Sequence, residues 1–287
     1  MTTPDRAGPP EDLGVVEIFG APFSTFTRSI TLGLHELGIH HIAITRAPHS
    51  EDIKAKNPYG LLPVLVHRPD GLYTKPDEIV TLYESNAIRR YIDEYLAPIV
   101  QHSSNKELRQ LTPCLKSSVT VDGVDAQAVI QRARLDGFIS SFSQTLFPCL
   151  EGGFIKPAAQ MKKNGADSQT ILVALEPGLT RIHQLLHIVE HQAKSHDKNN
   201  NKDSDKNANG WILGNDHNSN DGQITWADLF LFPILDDLRA SPAAELISGD
   251  HPTFPWLANW LTRMDQRQSV KLTHQGTLAH QVESKSG

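Results

Sequence analysis

The chain has 287 residues, 39% apolar and 21% charged, which suits one large or two modest globular domains. Its formal net charge of −6 argues against nucleic-acid binding by general electrostatics. Two cysteines, Cys114 and Cys149, are too few for a disulfide framework and form no Cys-x-x-Cys pair; they read as small core fillers in a reducing compartment.

Residues 1–13 are polar and Pro-rich without an apolar h-region, so they read as a disordered lead and not a signal peptide. No run approaches the roughly 18 apolar residues of a membrane span, and the expected location is cytoplasmic. Val15-Val16-Glu17-Ile18-Phe19 predicts a strand. Gly20 to Ser24 turns the chain, and a helix follows through Ile30, Leu34 and Leu37, with Gly38 at its left-handed end. Ile39 to Ile44 predicts a second strand, parallel to the first. Val64-Leu65-Val66 and Ile79 to Leu82 predict a β-hairpin around Pro69-Asp70-Gly71. A helix opens near Ser85, carries Ile88, Ile92, Tyr95 and Leu96, and is expected to stop at Pro98.

From about Lys106 the strand signals vanish. Helices are expected over Val129–Phe147 and over Ile171–Val189, the second kinked or divided by Pro177. Residues 195–222, rich in Lys, Asp and Asn, predict a polar low-complexity insertion. Thr225-Trp226-Ala227-Asp228 is a capping box before an apolar run that predicts a central buried helix to Leu238. Pro255 to Met264 predicts a last amphipathic helix, with a polar tail draped over the surface after Gln266. The domain reading is a thioredoxin-like α/β domain over 14–100 and an all-helical domain over 106–287.

Three motifs carry the chemistry. The first is Gly20-Ala21-Pro22-Phe23-Ser24-Thr25-Phe26-Thr27-Arg28, a strand-to-helix turn in which Ser24 or Thr25 can cap the helix. The second, Asn57-Pro58-Tyr59-Gly60-Leu61-Leu62-Pro63-Val64, leads into a strand. The third, Tyr83-Glu84-Ser85-Asn86-Ala87-Ile88, opens a helix whose first N–H groups make an anion site. His183, His187 and His191 recur at helical spacing but read as a solvated face, and no spacing suggests a metal centre.

In this order, together with the Thr225–Asp228 box, the motifs resemble the cytosolic glutathione transferases, in particular the phi-like and related fungal ones that use a serine. The resemblance implies a thioredoxin-like domain followed by a helical bundle, with glutathione as co-substrate and a small hydrophobic electrophile as partner. It implies a homodimer, to which helix faces around Ile88–Tyr95 and Ile130–Phe138 would contribute. It implies Ser24 facing the glutathione sulfur, favouring the thiolate over a thiol of pKa about 8.5. An alternative alignment puts the site at Ala21. Leu62 before a cis Pro63 would pair with the peptide backbone, Ser85 would hold the γ-glutamyl carboxylate and Glu84 the ammonium. His49, with Lys54 and Lys56 as competitors, would face the glycyl carboxylate. Leu61 departs from the Gln that phi-like members often carry. The expected activity is conjugation; a non-conjugating binding or regulatory member, an isomerase, an etherase or a biosynthetic thiol addition are the alternatives. The electrophile pocket is expected between the domains, with Phe23, the helix bearing Arg134, Phe138 and Phe142, and the C-terminal tail as its candidate walls.

Overall fold

A computed structural model describes residues 13–104, 110–112, 126–197, 210–213 and 223–286. The chain divides into two compact units, Met1–Gln110 and Leu111–Gly287.

The first unit is built on β1 (Val15–Gly20), α1 (Thr25–Glu36), β2 (Ile42–Thr45), the short α2 (Glu51–Lys54), β3 (Val64–Arg68), β4 (Val80–Tyr83), α3 (Ser85–Tyr91) and α4 (Ala97–Ser104). The sheet order is β2-β1-β3-β4, with β1 and β2 parallel and the other pairs antiparallel. This is the expected thioredoxin-like arrangement. Strand alternation assigns the two faces. Phe19, Val64 and Val66 meet Ile53 of α2 on one face. Val16, Ile18, Leu65 and His67 are buried on the other, where α3 packs on β3.

The end of α1 is a Schellman motif. Gly38 takes φ 69°, its N–H donates to His35 O at 3.2 Å, and Ile39 N–H donates to Leu34 O at 2.8 Å. Only glycine enters that backbone region at no steric cost, and buried Ile39 supplies the accompanying apolar contact. The second strand starts later than the hydrophobic run suggested, at Ile42 and not Ile39, because Ile39 serves this cap.

Polar packing on the α3 face is specific. His67 Nε2–H donates to Leu13 O at 2.7 Å, which leaves Nδ1 to accept from the Tyr91 hydroxyl at 2.7 Å. Both ring nitrogens are thus used by the neutral imidazole, and burial holds its pKa below the ordinary value. Tyr91 stacks on Tyr95 with centroids 5.1 Å apart, and burial pushes its phenol up to about 12.

The second unit is helical: α5 (Ala126–Ser141), α6 (Phe147–Leu150), α7 (Lys156–Lys163), α8 (Ser168–Ala174), α9 (Glu176–Asp197), α10 (Trp226–Arg239), α11 (Pro255–Asp265), α12 (Gln268–Leu272) and α13 (Leu278–Ser286). The break between α8 and α9 falls at Leu175, two residues before Pro177, as expected. α9 runs on to Asp197, past the start of the polar insertion; residues 198–209 and 214–222 lie outside the described residues, as does Cys114. α10 is the central buried helix, with every residue from Trp226 to Asp236 buried. The surface tail expected after Gln266 is instead α12 and α13, with Val270 and Ala279 buried. Polar residues there cover helix surface while a few apolar ones anchor it.

Pro98 does not stop its helix as the sequence suggested, and the helix expected to end at Phe147 also runs on through proline. Pro98 lies inside a helical run from Ser85 to Ser104, and Pro148 and Pro157 inside one from Ala126 to Lys163. Each proline follows a π-helical turn: Ile92–Leu96, Phe142–Leu146 and Glu151–Ile155. In each, an N–H reaches five residues back, as Ala97 does to Ile92 and Phe147 to Phe142. A proline in a regular turn would collide with the carbonyl four residues earlier. The wider turn moves that carbonyl aside, so the helix continues.

Candidate functional site

The sheet register decides where the three motifs meet. Gly20 pairs with Thr45 in parallel, Phe19 pairs with Val64, and Val64 pairs with Tyr83. The segments that leave β1, β2 and β4 and the one that enters β3 therefore all emerge at one end of the sheet. Ser24, His49, Leu62–Pro63 and Glu84–Ser85 lie in those segments. Two backbone bonds tie the group: Arg46 N–H to Gly20 O at 2.8 Å and His49 N–H to Gly60 O at 2.7 Å.

Ser24 is the N-cap of α1; its Oγ accepts from Thr27 N–H at 3.3 Å and its own N–H donates to Ala21 O at 2.9 Å. Its side chain is half-buried, whereas that of Thr25, the competing candidate, is only 5% exposed. Ala21 is buried, and Phe23 beside Ser24 is 58% exposed. The helix start approaches β1 so closely that a Cβ on Gly20 would sit 2.2 Å from Thr27 Cγ2.

The Leu62–Pro63 peptide is cis. Asn57, buried and not singled out from the sequence, organises the approach to it. Its Nδ2 donates to Leu61 O at 2.9 Å and its Oδ1 accepts from Tyr59 N–H at 3.1 Å. The Asn-Pro dipeptide was the available signal, since an asparagine side chain commonly closes such a turn.

Glu84 is exposed and holds φ 68°, a left-handed conformation rare outside glycine. Its carbonyl accepts from Ala87 and Ile88 N–H, both at 2.9 Å, and so starts α3 with half-buried Ser85 as first residue. The bend turns Glu84 out of the strand line just before the helix.

His49, also exposed and at φ 62°, rests against Gly60, where an added Cβ would come to 2.5 Å from Nδ1. The competing lysines are engaged. Lys54 pairs with Glu51 at 3.2 Å, and Lys56 pairs with Asp52 while lying 4.6 Å from the centre of the Phe19 ring. Lys56 first, then Arg46, holds the Asp52 carboxyl below the usual range.

In the second unit, Arg134, Phe138 and Phe142 line one cavity of about 580 Å³, and all its lining residues come from that unit; Phe23 and the C-terminal tail, expected as further walls of the electrophile pocket, are not among them. The capping box is present and more deeply engaged than a cap requires. Asp228 has no exposed surface, and Oδ2 accepts from the Thr225 N–H at 2.9 Å and from its hydroxyl at 3.1 Å. Oδ1 accepts from Ile212 N–H at 3.0 Å and Trp260 Nε1–H at 2.9 Å. Burial pushes this carboxyl's pKa up against the pull of those donors. His183, His187 and His191 are all exposed, as expected of a solvated face, and His183 also packs on Phe254 with centroids 5.0 Å apart. Ile88, expected on an association face, is fully buried. Among the described residues, no group of three or more His, Cys, Asp or Glu is arranged to hold a metal, and no helix is long and apolar enough to cross a membrane.

Residues 23–95 match the family described as "Glutathione S-transferase, N-terminal domain". Glutathione transferase F7 from Populus trichocarpa is 20% identical with a TM-score of 0.59, covering 91% of this chain and 99% of that one. Glutathione S-transferase III in its apo form is 19% identical (TM-score 0.60; 91% and 96% covered). Ure2p in complex with glutathione is 17% identical (TM-score 0.61; 92% and 94% covered). Comparison with curated proteins gave no sequence match. Residues 23–95 therefore form a glutathione S-transferase N-terminal domain, within a chain that has the cytosolic glutathione transferase fold.

Proposed function

We propose that the chain is a glutathione transferase that binds glutathione at the loop end of the first unit's sheet and adds its sulfur to a small apolar electrophile. The observation that carries this reading is the register that gathers Ser24, Leu62–Pro63 and Glu84–Ser85 at that end. The groups there suit the tripeptide. The Glu84 carboxylate takes the ammonium, Ser85 and the first N–H groups of α3 take the γ-glutamyl carboxylate, and His49 faces the glycyl carboxylate. Leu62 offers its backbone to the cysteinyl residue. The Ser24 hydroxyl and the positive end of α1 favour the thiolate, the nucleophilic form. The expected partner state is a cytoplasmic homodimer. Calorimetry with glutathione, followed by a conjugation assay with 1-chloro-2,4-dinitrobenzene, tests the reading: binding with turnover supports it, and absence of binding overturns it.

A second reading, glutathione binding without conjugation, is favoured by one feature. Ure2p, seen in complex with glutathione, is as similar in fold as the named transferases are. This reading predicts calorimetric binding with no turnover.

A further inference from the structure

Three histidines of α9 repeat every four residues: His183, His187 and His191. Four residues advance a helix by roughly one turn and about 6 Å, so the three form a ladder along one side. Ile182, Leu186, Val189 and Ala193, all buried in the second unit, hold the helix by its other side. The helix is 22 residues long and its one proline, Pro177, stands in the first turn, so the backbone under the ladder is regular. All three histidines are exposed.

The rungs are not equivalent. His183 packs on Phe254, the residue that opens α11, with ring centroids 5.0 Å apart. His187 and His191 make no hydrogen bond, ion pair or ring contact with another described residue. Two neutral imidazoles one turn apart on a helix can close on a single transition-metal ion, the spacing that zinc-binding helices use. The local charge suits a cation. Lys194 is the one lysine or arginine between residues 182 and 197, and Glu190 holds its ammonium at 2.5 Å. Arg181, at the foot of the ladder, donates to Gln184 at 3.2 Å. The chain as a whole carries −6, which attracts cations.

We propose that His187 and His191 chelate one divalent ion of the class that imidazole prefers, Cu²⁺, Ni²⁺ or Zn²⁺, with water in the remaining positions. Two protein ligands make an open, exchangeable site, unlike a closed structural centre of four. His187 also stands one turn from His183 and so belongs to both pairs of the ladder, but the Phe254 contact draws His183 to one side and leaves His187–His191 as the preferred pair. Cu²⁺ should bind more tightly than Ni²⁺ or Zn²⁺. The site lies on the second unit and does not rest on the glutathione reading of the first.

The test titrates the untagged full chain with Cu²⁺ by calorimetry, without glutathione, whose thiol would compete for the ion. His187→Ala breaks both pairs and should weaken the tightest site about tenfold or more, as expected when a two-point contact becomes one-point. His191→Ala should weaken it at least about fivefold and His183→Ala less than about twofold. The other histidines remain in every variant, so a difference between variants belongs to this face. Electron paramagnetic resonance at one equivalent of Cu²⁺ should show two equatorial nitrogens in the wild type and one in His187→Ala. All four tryptophans lie in the second unit, so unchanged tryptophan emission shows that the variants remain folded. Zn²⁺ should raise the tryptophan-detected urea midpoint of the wild type and not that of His187→Ala, because the ion binds the folded pair. Affinity unchanged in His187→Ala, or an equal loss in all three variants, would overturn the proposal.

Discussion

Trp260 Nε1–H donates to Asp228 Oδ1 at 2.9 Å, at a carboxylate with no exposed surface. That bond joins α11 to the start of α10, and the same oxygen receives Ile212 N–H from the segment before α10. A capping residue has thus become the junction of three parts of the helical unit.

Asp228→Ala leaves the Ile212, Thr225 and Trp260 N–H groups without their partner in a buried site. The expected loss is about 3–5 kcal/mol, beyond the ~1 kcal/mol of an ordinary cap. Trp260→Phe removes one donor and should cost about 1–3 kcal/mol. Urea denaturation followed by tryptophan emission measures both. A loss near 1 kcal/mol for Asp228→Ala would reduce the residue to a helix cap.

Acid should weaken the first unit. His67 is kept neutral by burial and by two hydrogen bonds that need one protonated and one bare nitrogen, and burial with neighbouring His35 pulls His41 down to about 4. Each ring has lower proton affinity folded than unfolded. As pH falls below 6.5 the unfolded chain takes up more protons, so stability falls until the folded ring also protonates, near pH 4 for His41. All five tyrosines are in this unit, so tyrosine absorbance reports it while tryptophan emission reports the other. The tyrosine-detected midpoint should drop between pH 6.5 and 4, with a shallower slope in His41→Asn. A flat profile would contradict the assignment.

Ser24 combines two roles that substitution can separate. Ser24→Ala loses the acceptor for Thr27 N–H, at about 1 kcal/mol, and the hydroxyl assigned to the thiol. Ser24→Asn keeps a capping oxygen and lacks the hydroxyl. Both should retain glutathione affinity and lose at least tenfold in kcat, as removal of a positioned donor does in other enzymes. Equal turnover in wild type and Ser24→Asn would remove Ser24 from the chemistry.

Glu84 sets stability against binding. A non-glycine residue at φ 68° costs about 1–3 kcal/mol locally. Glu84→Gly should leave the denaturation midpoint unchanged or raised, since relief of strain opposes the greater freedom of the unfolded glycine. Glu84→Ala and Glu84→Gly should each weaken glutathione binding about tenfold by calorimetry. Retained affinity in both would detach the carboxylate from the ammonium.

Much of this was legible locally. Gly38 as a left-handed cap, the Thr225–Asp228 box and the buried run after it each depend on residues within one or two helical turns, where chain chemistry acts directly. Pro98 did not act as the stop its local signal suggests, because the π-helical turn before it belongs to a longer packed helix. Asn57 was passed over because its partners, Leu61 O and Tyr59 N–H, become visible only once the loop is folded.

By itself the sequence determined the elements, the caps and the kinds of chemistry available, because these follow from side chains near one another along the chain. Only tertiary structure decided that Ser24, Leu62 and Glu84 share one end of a sheet, that Thr25 is buried while Ser24 is not, and that Arg134 and Arg181 line one cavity. Those relations arise from strand register and helix direction, which bring together residues far apart in the chain.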